Sequence, residues 1–241
     1  MAAIGSMEQY LEVQLKNWNR RNDIQNNCSK GPVITITREP GCCGEAIAQK
    51  LARELGMELH DWAVVEEIAR DSNVSEQVVA TLDTEVRSEL DDWLASFSPN
   101  TGLTSYHYSQ CLRKVLFTIA THGNAVILGR GGNFLLPPEK KTIGLCFVAP
   151  LEHRVINTMQ ALGLSREDSL KHVTETEKEQ RHWIKKFGHA DITDATNYHM
   201  VINTALTTPD TILHLVREML TTHSWIPTRA LPRPGVENEG G

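Results

Sequence analysis

Five short runs of apolar and β-branched residues are spaced along the chain, and the stretches between them repeat at helical spacing. Val33, Ile34 and Ile36, with Thr35 and Thr37 between them, read as a strand buried in a parallel sheet. Pro40, Gly41 and Gly44 break that strand. Ile47, Ala48, Leu51, Ala52 and Leu55 then recur on one helical face, and Gly56 ends the helix. Met57 to His60 is a short second strand closing on Asp61. Helical patterning covers Trp62 to Ala69 and continues from Asn73 to Trp93. Ser96 to Ser105, with Pro99 and Gly102, reads as a loop before a helix from Tyr106 to Thr121. A third strand, Ala125 to Leu128, runs into Gly129, Arg130, Gly131 and Gly132. The fourth, Ile143 to Val148, leads to a helix from Leu151 to Leu162 that Gly163 stops. Ser165 with Asp168 resembles a capping box using Asp and opens a polar helical stretch to Phe187. Met200 to Ile202 is the last strand and Pro209 to Leu220 the last helix. Residues 1–31 read as a short helix (Tyr10, Leu11, Leu15, Trp18) and an Asn-rich linker, and residues 223–241 as a flexible tail rich in Pro and Gly.

Strands alternating with helices predict an α/β fold, a doubly wound parallel sheet over residues 32–222. Such sheets bind ligands beyond the carboxyl ends of their strands. The segments to inspect are therefore Arg38 to Glu45, Asp61, Gly129 to Asn133, Pro150 to Arg154, and Asn203 with Thr204. In the first of these, a strand passes through a glycine-bearing turn straight into a helix, so unpaired N–H groups and the positive end of the helix dipole face an anion. The turn nevertheless departs from GxxxxGK[ST], in which a lysine reaches the β/γ-phosphates and a hydroxyl holds Mg²⁺. Gly44 and Glu45 stand in those places.

Composition narrows the class. The 241 residues carry 24 basic and 30 acidic side chains, a net charge of −6, which argues against a broad nucleic-acid-binding surface. No apolar run is long enough to span a bilayer, and the N-terminus lacks a basic, apolar signal, so the expected compartment is the cytoplasm, with no membrane partner. Five cysteines, Cys28, Cys42, Cys43, Cys111 and Cys146, show no CxxC spacing, so neither a disulfide framework nor a zinc site is expected. Cys42 and Cys43 read either as small residues tolerated in the loop or as a redox sensor. The ten histidines are scattered, and the sequence names no metal ligand.

Six segments taken in order resemble the cytidylate kinase-like family, a branch of the P-loop nucleoside monophosphate kinases. They are TREPGCCGEAIAQKLARELG after the first strand, HDWAVVEEIA, AVILGRGGNFLL, the strand leading to APLEHRV, ETEKEQRHWIKKFG, and NYHMVINT. The resemblance spans roughly residues 32–220 and implies a three-layer P-loop NTPase-type core. It also implies a helical NMP-binding insertion at about 61–120 and a mobile helical lid at about 165–190. The lysine is missing from the family's loop as well as from this one, and GCCG stands where relatives commonly have GSGG.

The implied activity is transfer of the γ-phosphoryl group of ATP to a nucleoside monophosphate, CMP or dCMP, assisted by Mg²⁺. Positioning and charge neutralisation dominate such chemistry, and arginine forks suit phosphate oxygens. On this reading Gly41, Cys42, Cys43, Gly44 and Glu45 cradle the donor phosphates and Arg38 replaces the lysine charge. Arg130, in a turn resembling the family's GRD, holds the acceptor phosphate; otherwise it is a solvated turn residue. Arg181 is the lid arginine or an i,i+4 partner of Glu177 on an exposed helix. Arg154 is a substrate-binding arginine at the lid hinge or a surface residue, and Asp61 faces the acceptor nucleotide or caps the next helix. Glu45 beside a triphosphate repels it unless Mg²⁺ lies between. Two other functions stay open: a degenerate P-loop module that binds nucleotide without turnover, and a kinase of another small molecule, the latter because residues 83–93 are rich in carboxylates.

Overall fold

The computed structural model describes residues 12–19, 31–97, 103–137, 140 and 142–222. Five strands, β1 (Val33–Arg38), β2 (Glu58–Asp61), β3 (Ala125–Gly129), β4 (Thr142–Val148) and β5 (Met200–Asn203), form one sheet in the order β2-β3-β1-β4-β5. Every neighbouring pair is parallel, with Ile34 opposite Val126 on one side and Ile143 on the other. Parallel pairing requires crossovers, and helices supply them.

Strand alternation divides the core between the two faces. Ile34, Ile36, Val126, Leu128, Ile143, Leu145 and Phe147 pack against α2 (Gly44–Leu55) and α9 (Pro209–Thr222). Val33, Ala125 and Ile127 on the opposite face meet α3 (Trp62–Arg70) and α6 (Leu103–His122). Helices on both faces of an all-parallel sheet make the doubly wound α/β fold that the periodicity predicts, and the core is of the three-layer P-loop NTPase type that the resemblance implies. The segment expected as an insertion therefore shares this core: α3 and α6 cover the sheet, while α4 (Ser72–Val79) and α5 (Thr84–Ala95) pack outside them.

Two local expectations change. The pattern from Asn73 to Trp93 predicts continuous helix, but α4 ends at Val79 and α5 starts afresh at Asp83, whose carboxylate accepts from the Val86 N–H. Leu82 between them is buried with Leu90, Leu94 and Phe117, and that burial turns the chain. The loop expected up to Ser105 is helical from Leu103 onward; residues 98–102, with Pro99 and Gly102, lie outside the described set.

The leader forms a helix, α1 (residues 12–19), that docks on the domain. Its Trp18 is 2% exposed and stacks on His122, with ring centroids 5.0 Å apart. Tyr10, Leu11, the linker and the tail lie outside the described residues.

After β4, α7 (Leu151–Leu162) ends at Gly163, whose φ of 66° is the left-handed conformation that glycine adopts freely. Ser165 then caps α8 (Arg166–Phe187), accepting from the Asp168 N–H, while the Asp168 carboxylate takes the serine hydroxyl. This 22-residue helix corresponds to the expected lid. It lies docked: Val173 and Ile184 are fully buried, and Phe187 joins the core beside α6.

Candidate functional site

The segment after β1 is built so that backbone approaches backbone. Gly41 has φ 81°, and a Cβ there would lie 2.4 Å from the Arg154 carbonyl oxygen, so only glycine fits. Asn157 of α7 donates to the Gly41 carbonyl at 2.8 Å, and Thr204 beyond β5 donates to the Cys42 carbonyl at 2.8 Å. The loop is thus tied to elements more than a hundred residues away. At Gly44 a Cβ would meet Arg38 Cδ at 2.8 Å, so the glycine lets the Arg38 side chain lie across the start of α2.

Cys42 and Cys43 divide the loop between interior and solvent. Cys42 is 1% exposed, and burial pushes its thiol up to about 11, against the Gly44 N–H hydrogen bond to it, which lowers the value. Cys43 is exposed and holds φ 59° at the N-cap of α2, a left-handed conformation that costs a non-glycine residue about 1 kcal/mol. Cys42, Cys43, Cys111 and Cys146 are free thiols. The N–H groups of Cys43, Glu45 and Ala46 have no partner among the described residues, as expected of a helix start. Together with Arg38 and Gly41 to Glu45, residues of α7 and α8 enclose a cavity of about 320 Å³ at this point.

Arg154 is buried, 6% exposed, and joins three elements. Its Nε donates to the Ala149 carbonyl at 3.0 Å and lies 3.4 Å from Glu39 Oε2, while one terminal nitrogen donates to Glu177 Oε2 at 3.0 Å. Glu39 in turn accepts from the Ala149 N–H. The other oxygen of Glu177 takes Arg181, the i,i+4 pair expected from the sequence. One carboxylate on α8 therefore holds both arginines, and Arg181 and Arg38 line a neighbouring cavity of about 160 Å³.

The β3 side is arranged differently. Asp61 caps α3, accepting from the Ala63 N–H at 2.9 Å, which is the capping alternative. Arg130 makes no hydrogen bond or ion pair among the described residues, and its charge acts on the Tyr108 hydroxyl, which donates to Glu66 at 3.0 Å. Burial, and next to it the Glu66 carboxylate, push the Tyr108 hydroxyl well above its ordinary value. The two flanking glycines are sterically required: a Cβ on Gly129 would strike Trp62 and one on Gly131 would strike Ile184 of α8.

The fold thus gathers Arg38, Arg154, Arg181 and the loop Gly41 to Glu45 beneath α8, and leaves Asp61 and Arg130 on the β2–β3 side. Glu39, Asn157, Gln180 and Thr204 also belong to the first group. Glu39 and Thr204 carried a signal, their places just after strands, whereas Asn157 and Gln180 carried none. Among the described residues no group of three or more His, Cys, Asp or Glu is placed to hold a metal ion. A cation at the loop would take most of its ligands from phosphate oxygens and water, as Mg²⁺ commonly does, with Glu45 the carboxylate in the first turn of α2.

A match to the cytidylate kinase-like family extends over residues 33–206, from the first strand past the last. The chain belongs to the cytidylate kinase-like family. Within reach of it is the cytidylate kinase of Ignicoccus hospitalis, 25% identical over 189 residues that cover 78% of this chain and 98% of that protein. Among solved structures, an uncharacterized protein from Eubacterium ventriosum is similar with a TM-score of 0.60 at 16% identity, covering 81% of this chain and 100% of that one. At that identity the likeness shows the fold alone. Family membership makes the chain kinase-like, and no helix among the described residues is long and apolar enough to cross a membrane.

Proposed function

We infer that the chain transfers the γ-phosphoryl group of ATP to a nucleoside monophosphate, CMP or dCMP. The observation that carries this reading is the placement of Arg38 at the border of two adjoining cavities. One holds the loop and its unpartnered N–H groups, and the other holds Arg181 of α8. Donor phosphates lie along Gly41, Cys42, Cys43, Gly44 and Glu45, where helix-start N–H groups supply hydrogen bonds. Arg38 supplies the charge that a loop lysine supplies elsewhere. Arg181 reaches the transferring group, and Arg130, without an ion-pair partner among the described residues at the carboxyl end of β3, holds the acceptor phosphate. Arg154, predicted from sequence as a substrate ligand, serves this scheme through Glu177, which it fixes beside Arg181. When bound, Mg²⁺ neutralises phosphate charge at the loop, and Glu45 is the residue that shares it.

The test is formation of CDP from CMP and ATP by the full chain. Arg130→Ala should lower turnover by about 10²-fold or more, as expected for loss of a charge-stabilising donor. Unchanged turnover in that variant removes Arg130 from the scheme. One observation favours a second reading, a module that binds nucleotide without transfer: Glu45 puts a negative charge in the first turn, where phosphate comes closest. Calorimetric binding of ATP with no transfer to any nucleoside monophosphate would decide for it.

A further inference from the structure

The phosphate-loop cavity of about 320 Å³ holds a nucleophile that phosphoryl transfer does not use. Cys43 on its wall is exposed, while Cys42, Cys111 and Cys146 are buried, at 1%, 3% and 7% exposure. Burial also pushes the Cys42 thiol up to about 11 and the Cys146 thiol to about 12, so both stay protonated at neutral pH. Thiol–disulfide exchange needs a thiolate that its partner can reach, and among the described cysteines only Cys43 is within reach of solvent. An oxidised Cys43 also lacks a second thiol to close a bridge with. Its neighbour Cys42 is turned inward, its sulfur accepting from the Gly44 N–H. Consecutive Cα atoms of a trans peptide lie about 3.8 Å apart, short of the roughly 4.4–6.8 Å that a disulfide spans. The stable partner of Cys43 is therefore a small molecule.

The cavity says which kind. Gln180 on its wall is 4% exposed, yet its carboxamide makes no hydrogen bond among the described residues. Buried polar groups are normally paired, and two donors with an acceptor aimed into a cavity fit an amide group. At the loop, the unpartnered N–H groups of Cys43, Glu45 and Ala46 and the Arg38 guanidinium favour a carboxylate. Of the two carboxylates on the same wall, Glu39 is taken by Arg154 and the Ala149 N–H, which leaves Glu45 as the opposing charge. We propose that Cys43 is a site of reversible S-thiolation by a small peptide disulfide of the glutathione kind, whose carboxylates and amide groups settle against the helix start, Arg38 and Gln180. The Cys43 thiolate attacks one sulfur of the disulfide; a bond to that sulfur forms as the S–S bond breaks, and the other half leaves as a thiolate that takes up the proton Cys43 released. The small disulfide is the oxidant. The adduct covers the N–H groups that donor phosphates would use, so thiolation and ATP binding exclude each other. That exclusion rests on the nucleotide-kinase reading.

Incubation of the full chain with glutathione disulfide at neutral pH tests it. One glutathionyl group should appear, mapped by mass spectrometry to Cys43 and removed by dithiothreitol. Cystamine, a cationic disulfide without carboxylates, should react at least about threefold more slowly at low salt, a difference that added salt narrows. Saturating ATP should slow the glutathione reaction by about tenfold or more. In Cys43→Ser and Cys43→Gly, each measured against its own untreated sample, glutathione disulfide should leave ATP affinity unchanged. Glycine suits the left-handed φ of 59° and guards against a folding defect in the serine variant. The site is overturned if no adduct forms at Cys43, if Cys28 or Cys42 takes it instead, if Cys42 and Cys43 close a disulfide with each other, or if cystamine reacts as fast at low salt. A Cys43 adduct that ATP does not slow and that leaves ATP binding intact keeps the site and sinks the loop as a phosphate cradle. CDP formation by a chain that glutathione disulfide never modifies keeps the kinase and sinks the site.

Discussion

Arg154 and Arg113 are buried almost equally, 6% and 5% exposed, and both hold α8 against the domain by different chemistry. Arg154 meets α8 at Glu177, with Glu39 behind it, so its charge is matched by two carboxylates. Arg113 on α6 meets α8 at its end: it donates to the Phe187 carbonyl at 2.7 Å, and its guanidinium lies 4.0 Å over the Phe97 ring. The carbonyl end of a helix and the face of a ring both attract a cation, but weakly compared with a carboxylate. Burial accordingly brings the Arg113 pKa down to about 10. One helix is thus pinned by an ion pair over the loop and by dipoles over the β3 side, and only the first pin borders the cavities.

The strongest way to break this contrast is to remove each arginine. Arg154→Met leaves Glu39 without its cation and Glu177 with Arg181 alone, and should cost about 3 kcal/mol in urea denaturation, as for a disrupted buried pair. Arg113→Met loses a carbonyl bond but also the expense of burying a cation, and should cost about 1 kcal/mol. Equal losses would erase the distinction. Gly41→Ala leaves every charge in place but sets a Cβ 2.4 Å from the Arg154 carbonyl at φ 81°, and should cost about 2 kcal/mol. A fully stable variant would mean the loop does not press on the pin. Glu177→Gln keeps the shape and leaves Glu39 facing Arg154, so about 1 kcal/mol is expected. Hydrogen exchange should rise in the middle of α8 and stay unchanged near Phe187; uniform loosening would show the two pins acting as one.

The smallest effect is one of pH. Burial raises the folded-state pKa of Cys42 above its ordinary 9.0 to about 11, so its contribution is complete below pH 9 and is lost as pH rises through 11. Cys42→Ala should flatten stability over that range. Alkylation at neutral pH, mapped by mass spectrometry, should modify Cys43 and spare Cys42; modification of both would show that the loop side is looser than its contacts imply.

The sheet was legible because strands buried on both faces read as apolar runs. The bounds of α2 and α7 were legible because Gly56 and Gly163 stop them in left-handed turns. The break before Asp83 was not, since it depends on Leu82 reaching Phe117 across the fold. At the site, Arg38 and the loop could be found by their place after β1, and the Glu177–Arg181 pair by its spacing on one helix. Gln180 offered no signal within a polar helix, and Arg154 read equally well as surface.

By itself, then, the sequence determined the elements, their α/β order and the phosphate-loop shape, because periodicity, glycine stops and caps act within a few residues. Tertiary structure alone decided which arginines are paired with carboxylates from distant parts of the chain. The partners of Arg154, Glu39 and Glu177, lie far apart along the chain, and only parallel crossovers and the docking of α8 bring those charges within reach of one another.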